Sequence, residues 1–472
     1  MTLRGSAGRS YAGAMPPDDA DLMRLAAAEA SRFRAGLPSR PVAAEADTDK
    51  VRAGFAGPLP RRPTPPEQVL EQLVAAADPG LMATAGPRFF GFVIGGSLPV
   101  ATAADVLAAG WDQVDFNPVT SPAAAAAEDV AGEWLKELLG LPATASAGFV
   151  TGAQAANIIG LAAARHHVLG EAGWDVERDG LAGAPPVRVV ASVERHATVD
   201  TALRLLGLGT SVVEPVKATT NGALALFDLD RVLSSGRGQP TIVCLQAGNV
   251  NTGACDGLRA ACGMTHEYGG WAHVDGAFGL WAAASPAYRH LVDGVELADS
   301  WAVDGHKWLN VPYDSGFAFC SRPAAHAAAL SYSADYLVGS GGQVPLAAEL
   351  ALESSRRARG FAVWAALNEL GSDGVAELVD RCCRLARRFA ESLAAAGVEV
   401  VNDVVLNQVL VSFGSDARTD EVIAAVQRDG TCWMGGTTWR RQRLMRISVS
   451  NWSTTEDDVD QSVAAILRVA GR

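Results

Sequence analysis

The side chains best suited to chemistry lie in two short segments, His273-Val274-Asp275-Gly276-Ala277 and Gly305-His306-Lys307-Trp308. Lys307 directly follows a histidine and comes after an apolar run, an odd setting for a residue type that is mostly solvated. An amine placed there can attack an aldehyde and form a Schiff base; a lysine at a strand edge with its amine in water is the alternative. Asp275 ends a second apolar run, and a carboxylate at a buried strand end is costly unless paired. It is either an N-cap for the next helix or the counter-charge of a cationic ring nitrogen, whose pKa it would raise. Trp271, His273 and Asp275 are spaced by two and so share one face of a strand.

Four further segments admit both a functional and a structural reading. Thr151-Gly152-Ala153-Gln154-Ala155-Ala156-Asn157 is a Gly-containing turn entering a helix. Its backbone N–H groups and dipole suit a phosphate, although such turns begin many helices. His196 follows a strand-like run and either stacks on a flat ring or simply starts a helix. Asn249 and Thr252 follow another strand and serve either a cofactor's phenolic oxygen or a polar turn. Arg446 either clamps a substrate carboxylate bidentately or makes a structural ion pair. A Schiff-base amine, an acid for a pyridine nitrogen and a phosphate turn are together what pyridoxal 5′-phosphate requires.

The elements that must hold these residues follow from the pattern of the chain. It has 472 residues, 49% hydrophobic and 19% charged, with net charge −13. That is an ordinary globular composition, without the basic stripe that nucleic acid demands. The seven cysteines are scattered with no Cys-x-x-Cys pair, so neither a disulfide framework nor a metal site is expected, and a reducing cytoplasm is. No apolar run reaches membrane-spanning length, and the N-terminus lacks the order of a signal peptide. Residues 1–85 read as a helical arm with a proline-rich connector and little core of its own. Residues 86–370 alternate buried strands (187–192, 241–245, 271–275 and 316–320) with helices (153–169, 197–207 and 256–268), the signature of a mainly parallel α/β sheet. A helix-like tract runs from Pro345 to about residue 370, where Gly371 to Gly374 break it. Residues 371–472 read as a small α+β domain. Ligands of such sheets sit at the carboxyl ends of the strands, where Asp275 falls.

Taken in order, PRFFGFVIGGSLP, GFVTGAQAANIIGLAAAR, VERHATVDTALRLLGLG, HVDGAFG and ADSWAVDGHKWLNVPYDSG resemble the group II pyridoxal phosphate-dependent amino acid decarboxylases, the aromatic-L-amino-acid decarboxylase-like proteins. The match runs from about Pro87 to Ile466. It implies fold type I, the aspartate aminotransferase-like α/β fold, and a homodimer with shared active sites, packed through the N-terminal arm. Lys307 would hold the cofactor aldehyde and Asp275 its ring nitrogen. His196 and Ala277 would cover the two ring faces. Gly152, Ala153 and Gln154 would form the phosphate turn, with Asn249, Thr252, Asp304 and His306 around the cofactor. Phe92, Val93 and, from a second copy of the chain, Phe116 would line the side-chain pocket. All three are apolar, which points to an aromatic or aliphatic L-amino acid.

The chain departs from the family pattern in three places. Gln154 and Ala155 replace a usual Ser-Glu pair. Asp304 replaces an Asn or Ser, and an anion there repels phosphate unless it turns away or finds a cation. Residues 338–355 contain no tyrosine, whereas relatives often carry one there as proton donor. Tyr336 lies just before the stretch and is the candidate donor, with His196 and His306 as others. Without a donor, the same scaffold supports an aldehyde synthase; a retro-aldol lyase or an aminotransferase are further alternatives.

Overall fold

The computed structural model describes residues 19–331 and 349–472. Contacts divide the chain into two compact units, one ending at Thr84 and one beginning at Ala85. The first holds three helices, α1 (Asp19–Gly36), α2 (Thr48–Phe55) and α3 (Pro66–Ala77). Asp47 caps α2 by accepting the Lys50 N–H at 2.9 Å. Pro66 opens α3, at a position where its missing N–H costs nothing. None of the three helices buries a residue.

In the second unit, helices α4 (Pro99–Trp111) and α5 (Pro122–Leu139) precede a seven-stranded sheet. Its strands are β1 (Ser146–Val150), β2 (Arg188–Ser192), β3 (Val213–Val216), β4 (Thr241–Gln246), β5 (Trp271–Asp275), β6 (Ser300–Asp304) and β7 (Gly316–Cys320). Their order is β1-β7-β6-β5-β4-β2-β3. Only β7 runs against its neighbours; every other pairing is parallel. Between the strands lie α6 (Ala153–Glu171), α7 (Val176–Asp179), α8 (Ala197–Leu205), α9 (Leu226–Ser234) and α10 (Leu258–Glu267). Strands β2, β4, β5, β6 and β7 are buried throughout, which is why they read as continuous apolar runs rather than alternating ones.

After α11 (Pro323–Leu330) comes α12 (Gly360–Ala395). A four-stranded antiparallel sheet, ordered β10-β11-β9-β8, then assembles from β8 (Glu399–Val400), β9 (Gln408–Ser412), β10 (Gly435–Trp439) and β11 (Gln442–Ser448). It is flanked by α13 (Asp416–Asp429) and α14 (Glu456–Ala470). Among the described residues the expected helical tract begins at Gly360, and it is broken at Gly371 as the sequence predicts. Gly371 (φ 58°, ψ −177°) leaves the helical region and separates two helices within α12; the second buries Val375, Leu378, Val379 and Cys382.

The non-helical stretch before α12 is anchored by Arg356, which is 3% exposed. Its guanidinium meets Glu128 at 2.9 and 3.2 Å, Asp115 at 3.3 Å and the Phe149 carbonyl at 2.8 Å. Burial pushes the Glu128 carboxyl well up, beyond what Arg356 offsets, and Asp115 adds to it. One cation thus serves two acids.

Candidate active site

The site gathers at the carboxyl ends of β5 and β6 and the start of α6. Asp275, 6% exposed, ends β5. Its Oδ2 accepts from Asn157 Nδ2 at 3.2 Å and lies 3.5 Å from the Thr198 hydroxyl, and its Oδ1 accepts the Ala277 N–H at 3.3 Å. The helix-cap reading of Asp275 therefore does not describe its main contacts.

Asn157 is held in turn by His273. The amide oxygen accepts from His273 Nε2 at 2.9 Å, while His273 Nδ1 meets the Ser300 hydroxyl at 2.8 Å. Since Nε2 carries the proton, Nδ1 is the acceptor and the ring is neutral. Burial pushes its pKa down to about 4, although Asp275 opposes the shift. Gly160 makes room for the ring, because a Cβ there would lie 2.6 Å from His273 Cε1. The period-two face of β5 thus carries Asp275 and the residue that orients its support. We expect Asn157→Ala to lower kcat/KM by about ten- to a hundredfold through misplacement of Asp275. The check is a kinetic comparison with cofactor affinity measured alongside; unchanged values in both would contradict it.

His196 is the residue before α8, and its Nδ1 accepts from the Thr198 N–H at 3.3 Å and meets the Thr198 hydroxyl at 2.9 Å. Burial lowers its pKa; Asp275 raises it, and Lys307 and Arg446 lower it. The imidazole thus caps a helix and also stands in the combined field of the acid, the amine and the guanidinium.

Lys307 follows β6 in the connection to β7. Its Nζ lies 2.7 Å from Asp304 Oδ2. Gly305 and His306 donate to the Ser315 carbonyl at 3.0 and 3.2 Å. Asn310 Oδ1 accepts the Gly96 and Trp452 N–H groups, and its Nδ2 donates to the Trp308 and Ser450 carbonyls. A Cβ on Gly95 would sit 1.8 Å from the Lys307 carbonyl oxygen, so the 89–97 segment presses directly on the lysine backbone.

His306 accepts the Ser315 N–H through Nδ1 at 3.2 Å and faces Asp304 Oδ1 with Nε2 at 3.4 Å. Its pKa is lowered, chiefly by burial. The Tyr313 ring packs on it, centroids 4.3 Å apart.

Ala153 opens α6, and its N–H donates to Asp304 Oδ1 at 2.5 Å. Asp304 is therefore turned into the phosphate turn and has found a cation in Lys307. Gln154 is exposed. A Cβ on Gly152 would lie 3.0 Å from His306 and 3.1 Å from Asp304, and one on Gly316 would lie 2.4 Å from the Gly152 Cα. The turn can form only because both positions lack a side chain. An amine, a fixed acid, an imidazole and a helix start bounded by the small Gly152 and Ala277 fit pyridoxal phosphate.

The other expected residues make further contacts. Asn249 Oδ1 accepts the Asn251 N–H, and the Thr252 hydroxyl donates to the Asn221 carbonyl at 2.7 Å. Asn249 Nδ2 also reaches the Glu194 carbonyl at 3.4 Å, close in sequence to His196, so these side chains bridge their turn to other segments. Val93 is 1% exposed and packs in the main core, so it has no surface to offer a substrate. The cause is a left-handed backbone at both Phe92 (φ 54°) and Val93 (φ 55°), which turns one side chain out and the next in. Phe92 is 62% exposed, and Trp433 backs it at 5.4 Å. Phe116 is half-buried. Arg446 donates to the Val250 carbonyl at 3.2 Å and has no carboxylate partner among the described residues. Tyr336 lies outside the described residues. Reading the sequence did not assign roles to Asn157, Thr198 or Tyr313; the only signal for Asn157 was its place at the end of the quoted phosphate turn.

A family model described as the pyridoxal-dependent decarboxylase conserved domain matches residues 49–414. Aromatic-L-amino-acid decarboxylase of Bacillus atrophaeus is 26% identical over 92% of this chain and 92% of its own. Phenylacetaldehyde synthase of a Rosa hybrid cultivar is 28% identical over 70% of this chain and 66% of its own. A solved structure of Oryza sativa TDC with PLP and tryptamine superposes with TM-score 0.90 at 22% identity, covering 97% of this chain and 99% of that one. The fold is that of the fold type I pyridoxal phosphate enzymes. With the acid, the amine and the phosphate turn brought together on it, the chain belongs to the pyridoxal-dependent decarboxylases.

Proposed function

We propose that the enzyme removes the carboxylate of an aromatic or aliphatic L-amino acid as carbon dioxide and releases the amine. The observation that carries this reading is the placing of Asp275, held by Asn157 and Thr198, and of Lys307, beside Asp304 and the start of α6, at the carboxyl ends of the adjacent parallel strands β5 and β6. Lys307, Asp275, His196, Ala277, Gly152, Ala153 and Gln154 would hold pyridoxal 5′-phosphate, which when bound supplies the electron sink for the bond that breaks. The Asp275 carboxylate is held in place by Asn157 and Thr198, so little reorganisation is needed as charge develops. Arg446, with a free guanidinium edge, suits the substrate carboxylate. Phe92 offers an apolar surface for the side chain. Lys307 accepts and returns protons at Nζ, which lies 2.7 Å from Asp304 Oδ2. His306 Nε2–H is a candidate donor to the substrate carbon, as are His196 and Tyr336.

The lack of a tyrosine in 338–355 favours a second reading, oxidative decarboxylation. That reaction consumes the amino acid, dioxygen and water and yields aldehyde, carbon dioxide, ammonia and hydrogen peroxide. Product analysis separates the two. A steady-state panel tests the substrate class: tryptophan, tyrosine, phenylalanine or leucine should exceed glutamate and aspartate in kcat/KM by about a hundredfold. Faster turnover of the acidic substrates would refute the assignment.

We further infer a cytoplasmic homodimer. All seven cysteines are unpaired, which supports a reducing compartment. Phe55, Leu59 and Leu73 in the first unit, and Phe92, Trp111 and Val119 in the second, are large apolar side chains left exposed, as a subunit interface would require.

A further inference from the structure

The carboxylate of Asp304 is 3% exposed and makes three contacts, all with parts of the cofactor site. Oδ1 accepts the Ala153 N–H at 2.5 Å, Oδ2 meets the Lys307 ammonium at 2.7 Å, and Oδ1 lies 3.4 Å from His306 Nε2. It therefore occupies one donor of the α6 start, the feature that suits a phosphate. Its only cation among these contacts is the amine that must react.

We propose that Asp304 is a resident anion of the phosphate subsite, a positioning residue that holds the Ala153 N–H and the Lys307 ammonium in register and against which any phosphorylated ligand must compete. This rests on the cofactor reading above. A phosphate arriving at this turn meets a fixed negative charge a few ångströms away in a dry setting, where like charges repel strongly. It also has to share, or take over, the Ala153 donor. Asp304 thus steadies the lysine at the expense of phosphate affinity.

The test compares apo full-length chains by calorimetry, using pyridoxamine 5′-phosphate, pyridoxamine and inorganic phosphate. None of these carries an aldehyde, so the readout is independent of Lys307 chemistry and of turnover. Asp304→Asn should bind pyridoxamine 5′-phosphate and inorganic phosphate about tenfold or more tightly than the natural chain, with pyridoxamine changed by less than about twofold. Equal or weaker binding of the phosphorylated ligands, or an equal gain for pyridoxamine, overturns the proposal. Should Asp304→Asn fail to fold by circular dichroism, Asp304→Ser carries the same expectation. A natural chain that binds neither pyridoxamine 5′-phosphate nor pyridoxal 5′-phosphate would instead overturn the cofactor reading itself.

Discussion

A Lys307→Ala chain, freed of unbound pyridoxal 5′-phosphate, is expected to lack the protein Schiff-base absorbance band and to turn over at least about 10³-fold more slowly than the natural chain. The sequence holds only four lysines, Lys50, Lys136, Lys217 and Lys307. Lys136 is already committed to Glu133 and to the carbonyls of Ala143 and Ala145. Lys307 alone ends next to the residues that field a ring and a phosphate. Borohydride reduction of the loaded natural chain followed by peptide mapping should therefore label the peptide containing residue 307. A label on another lysine, or a borohydride-fixed label in the Lys307→Ala chain, would end the assignment.

Asp275→Asn should reduce kcat by about 10²- to 10³-fold while the visible absorbance of the cofactor persists. The amide keeps the shape and loses the charge. Without that charge the pKa of a ring nitrogen is no longer raised, and electrons leaving the substrate find a poorer sink. Asn157 and Thr198 would still hold the side chain, so a loss of folding is not the expected cause. The measurement is single-turnover decarboxylation with the absorbance spectrum recorded on the same sample. A kcat within about threefold of the natural value would show that Asp275 is structural.

The sequence was most informative where burial and chemistry coincide. Strand β5 was legible because Trp271, His273 and Asp275 alternate within an apolar run, and the same alternation placed the acid at a strand end. Lys307 was legible from its histidine neighbour and its place before β7. The phosphate turn was legible from Gly152 and the apolar-periodic helix that follows. Less legible was what each polar group does with its hydrogen bonds. Nothing in the local pattern says that Thr252 turns its hydroxyl to Asn221 rather than to the site, because that partner lies 31 residues away. Val93 misled because apolarity signals both pockets and cores, and two left-handed residues in succession decide between them. Gly371 was legible as a break, because a positive φ with an extended ψ leaves the helical region and glycine adopts it freely. Asp304 was legible as an oddity; only the fold supplies its cation.

The connection that carries Lys307 is closed at both ends by β-sheet register, with Asp304 facing Gly316 across β6 and β7. Asn310 ties the middle of it to the 96 and 450–452 segments, and Gly95 lies against its carbonyl. The lysine is therefore a tether on a fixed post. Its travel during a reaction cycle comes from rotation about its four-carbon stem, so the distance the nitrogen can cover is set by side-chain length. A shorter amine grafted at the same position would sweep a smaller volume from the same post.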